Sequence, residues 1–136
     1  LSLDYSQEIG VFLNLYSNLN TNIHYILPNE LSISNNGEYD HMFVARTGNV
    51  GYIQLIFQPD VDIDIYDGDI LVYIIPEGFR PLYYTKSGLV YQSVKIENQY
   101  GSITTTLIET GELYIGGYYG FDANRWIWIS LAYICA

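Results

Sequence analysis

The chain has little with which to staple itself together. One cysteine, Cys135, stands near the end of 136 residues, so no intramolecular disulfide can form and the fold rests on packing. Cations are scarce as well. Five Lys and Arg stand against fifteen Asp and Glu, for a formal charge of −10. Such a surface repels phosphate backbones and anionic headgroups, which makes nucleic acid and membrane poor partners. No stretch reaches the ~18 consecutive apolar residues of a membrane-spanning helix. The opening LSLDYS carries neither an initiator methionine nor a basic segment. The expectation is therefore no signal peptide, and a module excised from a longer polypeptide.

Catalytic patterns are missing too. There is no Gly-x-Ser-x-Gly elbow, no phosphate-binding glycine loop and no His-x-x-x-His pair. His24, His41 and Cys135 do not have the spacing of a zinc site. With fifteen acidic residues a glycosidase carboxylate pair stays arithmetically open, but no motif singles one out. The expectation is a protein that is not an enzyme and needs no cofactor.

What is present points to strands. Hydrophobic residues make up 49% of the chain, charged residues only 15%, and fifteen are tyrosine. This composition argues against disorder, and aromatic and β-branched residues suit pleated sheets. Helical periodicity is nearly absent. Apolar runs of about five to eight residues alternate with Gly, Asn and Asp turns, the pattern of a sandwich or barrel. This spacing predicts strands at Val11–Tyr16, Ile23–Leu27, His41–Ala45, Gly51–Phe57, Ile70–Ile75, Leu89–Ile96, Ile103–Ile108, Glu112–Ile115 and Trp126–Tyr133. Arg46-Thr47-Gly48-Asn49 and Glu109-Thr110-Gly111 read as hairpin turns, and Ile96 to Gly101 as a third connection. Residues 1–36 are richer in Asn and weaker in alternation. They form an N-terminal arm or additional strands, ahead of a β-domain at 37–136.

The final strand, WIWISLAYI, is apolar on both sides: Trp126 and Trp128 on one, Ile127, Ile129 and Leu131 on the other. One face fills an interior. The other needs cover, from another copy of the chain or from the chain's own loops or N-terminal arm.

Asp60, Asp62 and Asp64 alternate with Val61, Ile63 and Ile65, so the carboxylates share one side of an extended segment. An EF-hand is excluded, because its sixth and twelfth positions, counted from Asp60, hold Ile65 and Leu71. A different calcium site, with Asp67 and Asp69 contributing, stays open. So does a solvated strand face whose charge discourages edge pairing.

The next segment is more specific. Gly68 to Pro81, GDILVYIIPEGFRP, resembles a segment of bacteriophage tail-fibre and baseplate head domains. There a Pro-x-Gly-aromatic-Arg-Pro element ends a strand. The hairpin MFVARTGNVGYIQLIF before it, Ile108 to Gly116 after it, and the closing Trp126-Ile127-Trp128-Ile129-Ser130 resemble the same family in order and spacing. The similarity runs from about Met42 to Ala136. Ile75 stands where the family has Leu, an aspartate-rich insertion precedes Gly68, and the N-terminal third does not align. Physically, Pro76 and Pro81 remove backbone donors and end the ladder. Gly78 allows a reversal, Phe79 tucks beneath it, and Arg80 is expected to pair with a carboxylate.

The resemblance implies an all-β fold, an antiparallel β-barrel or jelly-roll-like sandwich head domain assembling as a homotrimer at the tail tip of the virion. Its partners would be host cell-wall or capsular saccharides and other tail or baseplate proteins. Sugar rings stack on aromatics, and their hydroxyls need planar partners such as Asp, Asn and Arg. The segment from Gly116 to Trp126 offers both, which makes Tyr118, Tyr119, Asp122, Asn124, Arg125 and Trp126 the first candidate saccharide site. Asp40 and His41 are the second. Two alternatives stay open: a structural tail module that touches no sugar, and a bacterial carbohydrate-binding adhesion domain.

Overall fold

A computed structural model describes residues 21–63, 70–83, 85–86, 89–92, 103–117 and 121–136. Ten strands lie among them. They are β1 (Thr21–Tyr25), β2 (Asn35–Tyr39), β3 (Phe43–Thr47), β4 (Val50–Pro59), β5 (Ile70–Ile74), β6 (Thr85–Lys86), β7 (Leu89–Gln92), β8 (Ile103–Leu107), β9 (Glu112–Gly117) and β10 (Ile127–Ile134). The only other regular element among the described residues is one 3₁₀ turn, Pro28–Glu30. Every strand pairing is antiparallel. The all-β expectation holds.

The strands form two sheets. The first runs β1-β3-β4-β10-β7, with β2 also pairing with β4; the second runs β5-β9-β8-β6. The ten-residue strand β4 is the spine of the first. It pairs with β10 over eight residues, from Val50↔Ile134 to Phe57↔Ile127. On its other edge β3 pairs from Val50 to Gln54, and β2 takes the remainder near Phe57 and Pro59.

Alternation then sets the core. Ile53, Leu55 and Phe57 of β4 and Ile127, Ile129 and Leu131 of β10 point inward together, because each opposes another in the register. They join Val72, Ile75, Leu107, Leu113 and Ile115 of the second sheet region in one hydrophobic core. Burying a side chain of this size contributes about 1.5–3 kcal/mol. Ile26, Leu31 and Ile33, between β1 and β2, enter the same core, and the Ser32 N–H donates to the Val72 carbonyl at 2.7 Å. Residues 21–36 thus supply a strand, a turn and core side chains, and β2 runs across position 36.

Of the described strands, β2 and β6 have no predicted counterpart, and the others begin within about two residues of their predicted positions. Val11–Tyr16, the end of Leu89–Ile96 and the Ile96 to Gly101 connection lie outside the described residues. Both marked hairpins form. Gly111, between β8 and β9, has φ +93, and a Cβ there would lie 2.6 Å from the Ile75 carbonyl oxygen. Glycine alone meets both conditions.

The Pro-x-Gly-x-Arg-Pro element ends β5 as expected. Phe79 packs against the core. Arg80 Nε donates to the Ile75 carbonyl at 2.9 Å, and its guanidinium lies 3.8 Å from Glu77. The Tyr133 hydroxyl donates to the Phe79 carbonyl at 2.6 Å, and Arg46 donates to the Gly78 carbonyl at 3.0 Å. The reversal is therefore tied to the first sheet from two strands.

Candidate functional site

The outer side of the first sheet is unusual. By register, Tyr25, Phe43, Gln54 and Ser130 form one row across β1, β3, β4 and β10. Ile23, Ala45, Tyr52 and Ala132 form the next, and Thr21, Thr47, Val50 and Ile134 the third. No residue in these rows is charged, although the chain carries −10 overall. Tyr25, Ile23, Val50 and Ile134 are exposed, and the Phe43 and Tyr52 rings lie 5.8 Å apart.

Beyond the first row the same face becomes a cleft. Ile56 of β4 and Trp128 of β10 are register partners. Two residues earlier, Trp126 shares the Trp128 side of the chain. Asp40, just past β2, is anchored because its N–H donates to the Ile56 carbonyl at 3.0 Å. Asp40, Ile56, Trp126 and Trp128 line a cleft of about 240 Å³. Ile56 is 8% exposed and lies deepest, while Trp126 and Trp128 are 37% and 50% exposed. An outward-facing residue this well covered, beside half-exposed indoles, marks a shaped surface rather than scattered apolar residues.

Hydrogen bonds brace the surroundings of the cleft. Asn36 Nδ2 donates both to Gln58 Oε1 at 2.8 Å and to Asn124 Oδ1 at 3.1 Å. These bonds join β2, β4 and the turn before β10. Asn124 has φ +58, a left-handed conformation that Asn tolerates better than most residues, and its N–H donates to the Pro59 carbonyl at 2.7 Å. His41 has φ +37. Its carbonyl accepts from Gln54 Nε2 at 2.9 Å, and its ring lies 3.3 Å from Asp40.

The sequence candidates therefore separate. Trp126 of the first group and Asp40 of the second, far apart in the chain, meet in one cleft, with His41 beside Asp40. Asn124 is committed to the turn. Asp122 lies 4.0 Å from Arg125 Nε, and Arg125 is largely covered. Tyr118 and Tyr119 lie outside the described residues. Trp128 and Ile56 were not singled out as site residues, although the alternation in WIWIS already put Trp128 beside Trp126.

Of the calcium candidates, Asp62 accepts from the Ala123 N–H at 2.8 Å. That bond fastens the strand-like bridge between Ile63 and Phe121. Asp60 is exposed, and Asp64, Asp67 and Asp69 lie outside the described residues. Among the described residues, no group of three or more His, Cys, Asp or Glu is placed to hold a metal.

Two buried phenols flank the core. Burial pushes Tyr73 up, with Glu30 adding to the effect. Burial likewise pushes Tyr133 up, with Cys135 and Tyr73 adding to it and Arg46 opposing. Burial also raises the Cys135 thiol, so it is a packed side chain and not an activated nucleophile.

Neither protein-family models nor curated proteins give a match to this chain.

Proposed function

We propose that this chain is the receptor-binding head domain of a bacteriophage tail fibre or baseplate, acting at the virion tail tip on a saccharide of the host cell wall or capsule. The observation that carries this is the cleft of Trp126, Trp128, Ile56 and Asp40. Indole faces stack on the C–H face of a sugar ring, and a carboxylate accepts from its hydroxyls. The motif resemblance in the second half of the chain supplies the viral context.

The uncharged rows of the outer face supply the self-association that such a head domain requires. Acidic copies repel one another except where contact is made through apolar surface, and these rows are such a surface. In the proposed homotrimer they face neighbouring copies and close the barrel assembly, while the Trp126–Trp128 end stays open to the receptor. The same rows favour a second reading, a structural tail or baseplate module whose partners are proteins alone.

Pull-down with fragmented bacterial cell walls and capsules separates the two. The first reading expects retention of the wild type, loss with Trp126→Ala and Trp128→Ala, and little change with Arg125→Ala. Absence of wild-type binding across the panel, from a chain that is trimeric by light scattering, would establish the structural module instead.

A further inference from the structure

We propose that the cleft selects sugars by charge, taking those that carry a free amine over neutral ones and rejecting uronate or phosphate-bearing ones. This rests on the saccharide-binding reading above and names the ligand class of the same site. Asp40 is the one charged side chain among the described residues lining the cleft. Its carboxylate is 60% exposed, so it can meet a ligand while staying solvated in the free protein. The backbone bond to Ile56 and the Asn36 amide bridge hold the segment that carries it.

The cleft's size limits what can enter. At about 240 Å³ it falls below the ~300–1,000 Å³ of pockets for drug-sized ligands, which suits one sugar ring and its substituents. Asp40 lines the same cleft as both indoles, so on a ring stacked there a substituent turned toward Asp40 meets its carboxylate. An ammonium there gains a charge-assisted hydrogen bond. A carboxylate or phosphate meets a like charge, within a molecule whose net charge of −10 adds to the repulsion. His41 is a titratable neighbour of Asp40, at 3.3 Å, and its side chain is 84% exposed. An amine competes with it for the same carboxylate.

The chain's only two tryptophans both line the cleft, so intrinsic fluorescence reports on it directly. The probes are chito-oligosaccharides of equal length with free amines or fully N-acetylated, and oligogalacturonate as the anionic sugar. The expected result is about two- to fivefold tighter binding of the free-amine form than of the acetylated form, the range of a solvent-exposed ion pair. Oligogalacturonate should bind weakest, and the preference should fade with added salt. Asp40→Asn, checked for an unchanged circular dichroism spectrum, should lose the preference for amines and bring the two forms to equal affinity. His41→Ala should keep or widen it. Equal affinity for both forms in the wild type, or a preference that survives Asp40→Asn, would overturn charge selection and leave saccharide binding intact. No fluorescence response to any of the sugars would count against both.

Discussion

The two sides of β10 differ by one residue in phase and by nearly everything in environment. Ile127, Ile129 and Leu131 are almost wholly buried, whereas Trp126, Trp128 and Ile134 are exposed. Both sets are apolar, so hydrophobicity alone does not tell a core position from a surface one. The difference lies in what stands opposite. The inner residues meet the second sheet in a shared core. Among the described residues, Trp126 and Trp128 meet Ile56 of the adjacent strand β4 and the turn that carries Asp40. The inner side holds the fold together, and the outer side is the surface to which the proposed function assigns recognition.

The inner side is where the comparison breaks most violently. Phe57→Ala should destabilise the protein by about 3–5 kcal/mol, because truncation forfeits both transfer energy and packing around the cavity. A urea denaturation midpoint measures it. Close behind is Gly51→Ala. Gly51 opposes Tyr133 in the register, and a Cβ there would fall 2.5 Å from the Tyr133 ring and 2.7 Å from the Cys135 sulfur. Overpacking of this kind costs about 1–3 kcal/mol, read in the same assay.

Tyr133→Phe probes the junction between the inner side and the strand-ending loop. Losing the hydroxyl bond to Phe79 should cost about 1 kcal/mol. The pH dependence follows from the raised phenols. Tyr73 and Tyr133 hold their protons more tightly folded than unfolded. Their contribution is therefore complete below the ordinary phenol value of ~10 and declines as pH rises beyond it. The wild type should lose stability in that alkaline range, and Tyr133→Phe should lose less. Chemical denaturation at several pH values gives both slopes.

The smallest stability effect belongs to the outer side. Ile134→Ser removes a half-exposed side chain and should stay within about 0.5 kcal/mol. In the proposed homotrimer its effect appears elsewhere, as a weakened association by light scattering.

Much of this contrast was legible in the sequence. The alternation in WIWISLAYI gives the two faces, and the turn glycines mark the hairpins between β3 and β4 and between β8 and β9. The strand β2 was not legible. NNGEY has no apolar alternation, and it becomes a strand because β4 is ten residues long while β3 covers only half of it. A neighbour's spare edge, not local propensity, decides that assignment. The site was half legible for a similar reason. Trp126 and Asp40 are recognisable residue types, but their meeting depends on Ile56 pairing with Trp128 and bonding to Asp40, a long-range register that composition does not carry. Asn124 and Asp62 look like ligand-binding groups in sequence and serve as turn fastenings, because buried or half-buried backbone donors and acceptors must find partners.

The most direct test sets Trp128→Ala beside Ile129→Ala, adjacent residues on opposite sides of one strand. Each is measured for binding to the bacterial cell-wall and capsule panel and for its denaturation midpoint. Trp128→Ala should lose binding by tenfold or more, about 1.4 kcal/mol, with little loss of stability. Ile129→Ala should lose about 2–5 kcal/mol of stability and, where still folded, keep its affinity. Undiminished binding by Trp128→Ala, or a loss of stability matching that of Ile129→Ala, would contradict this division of roles.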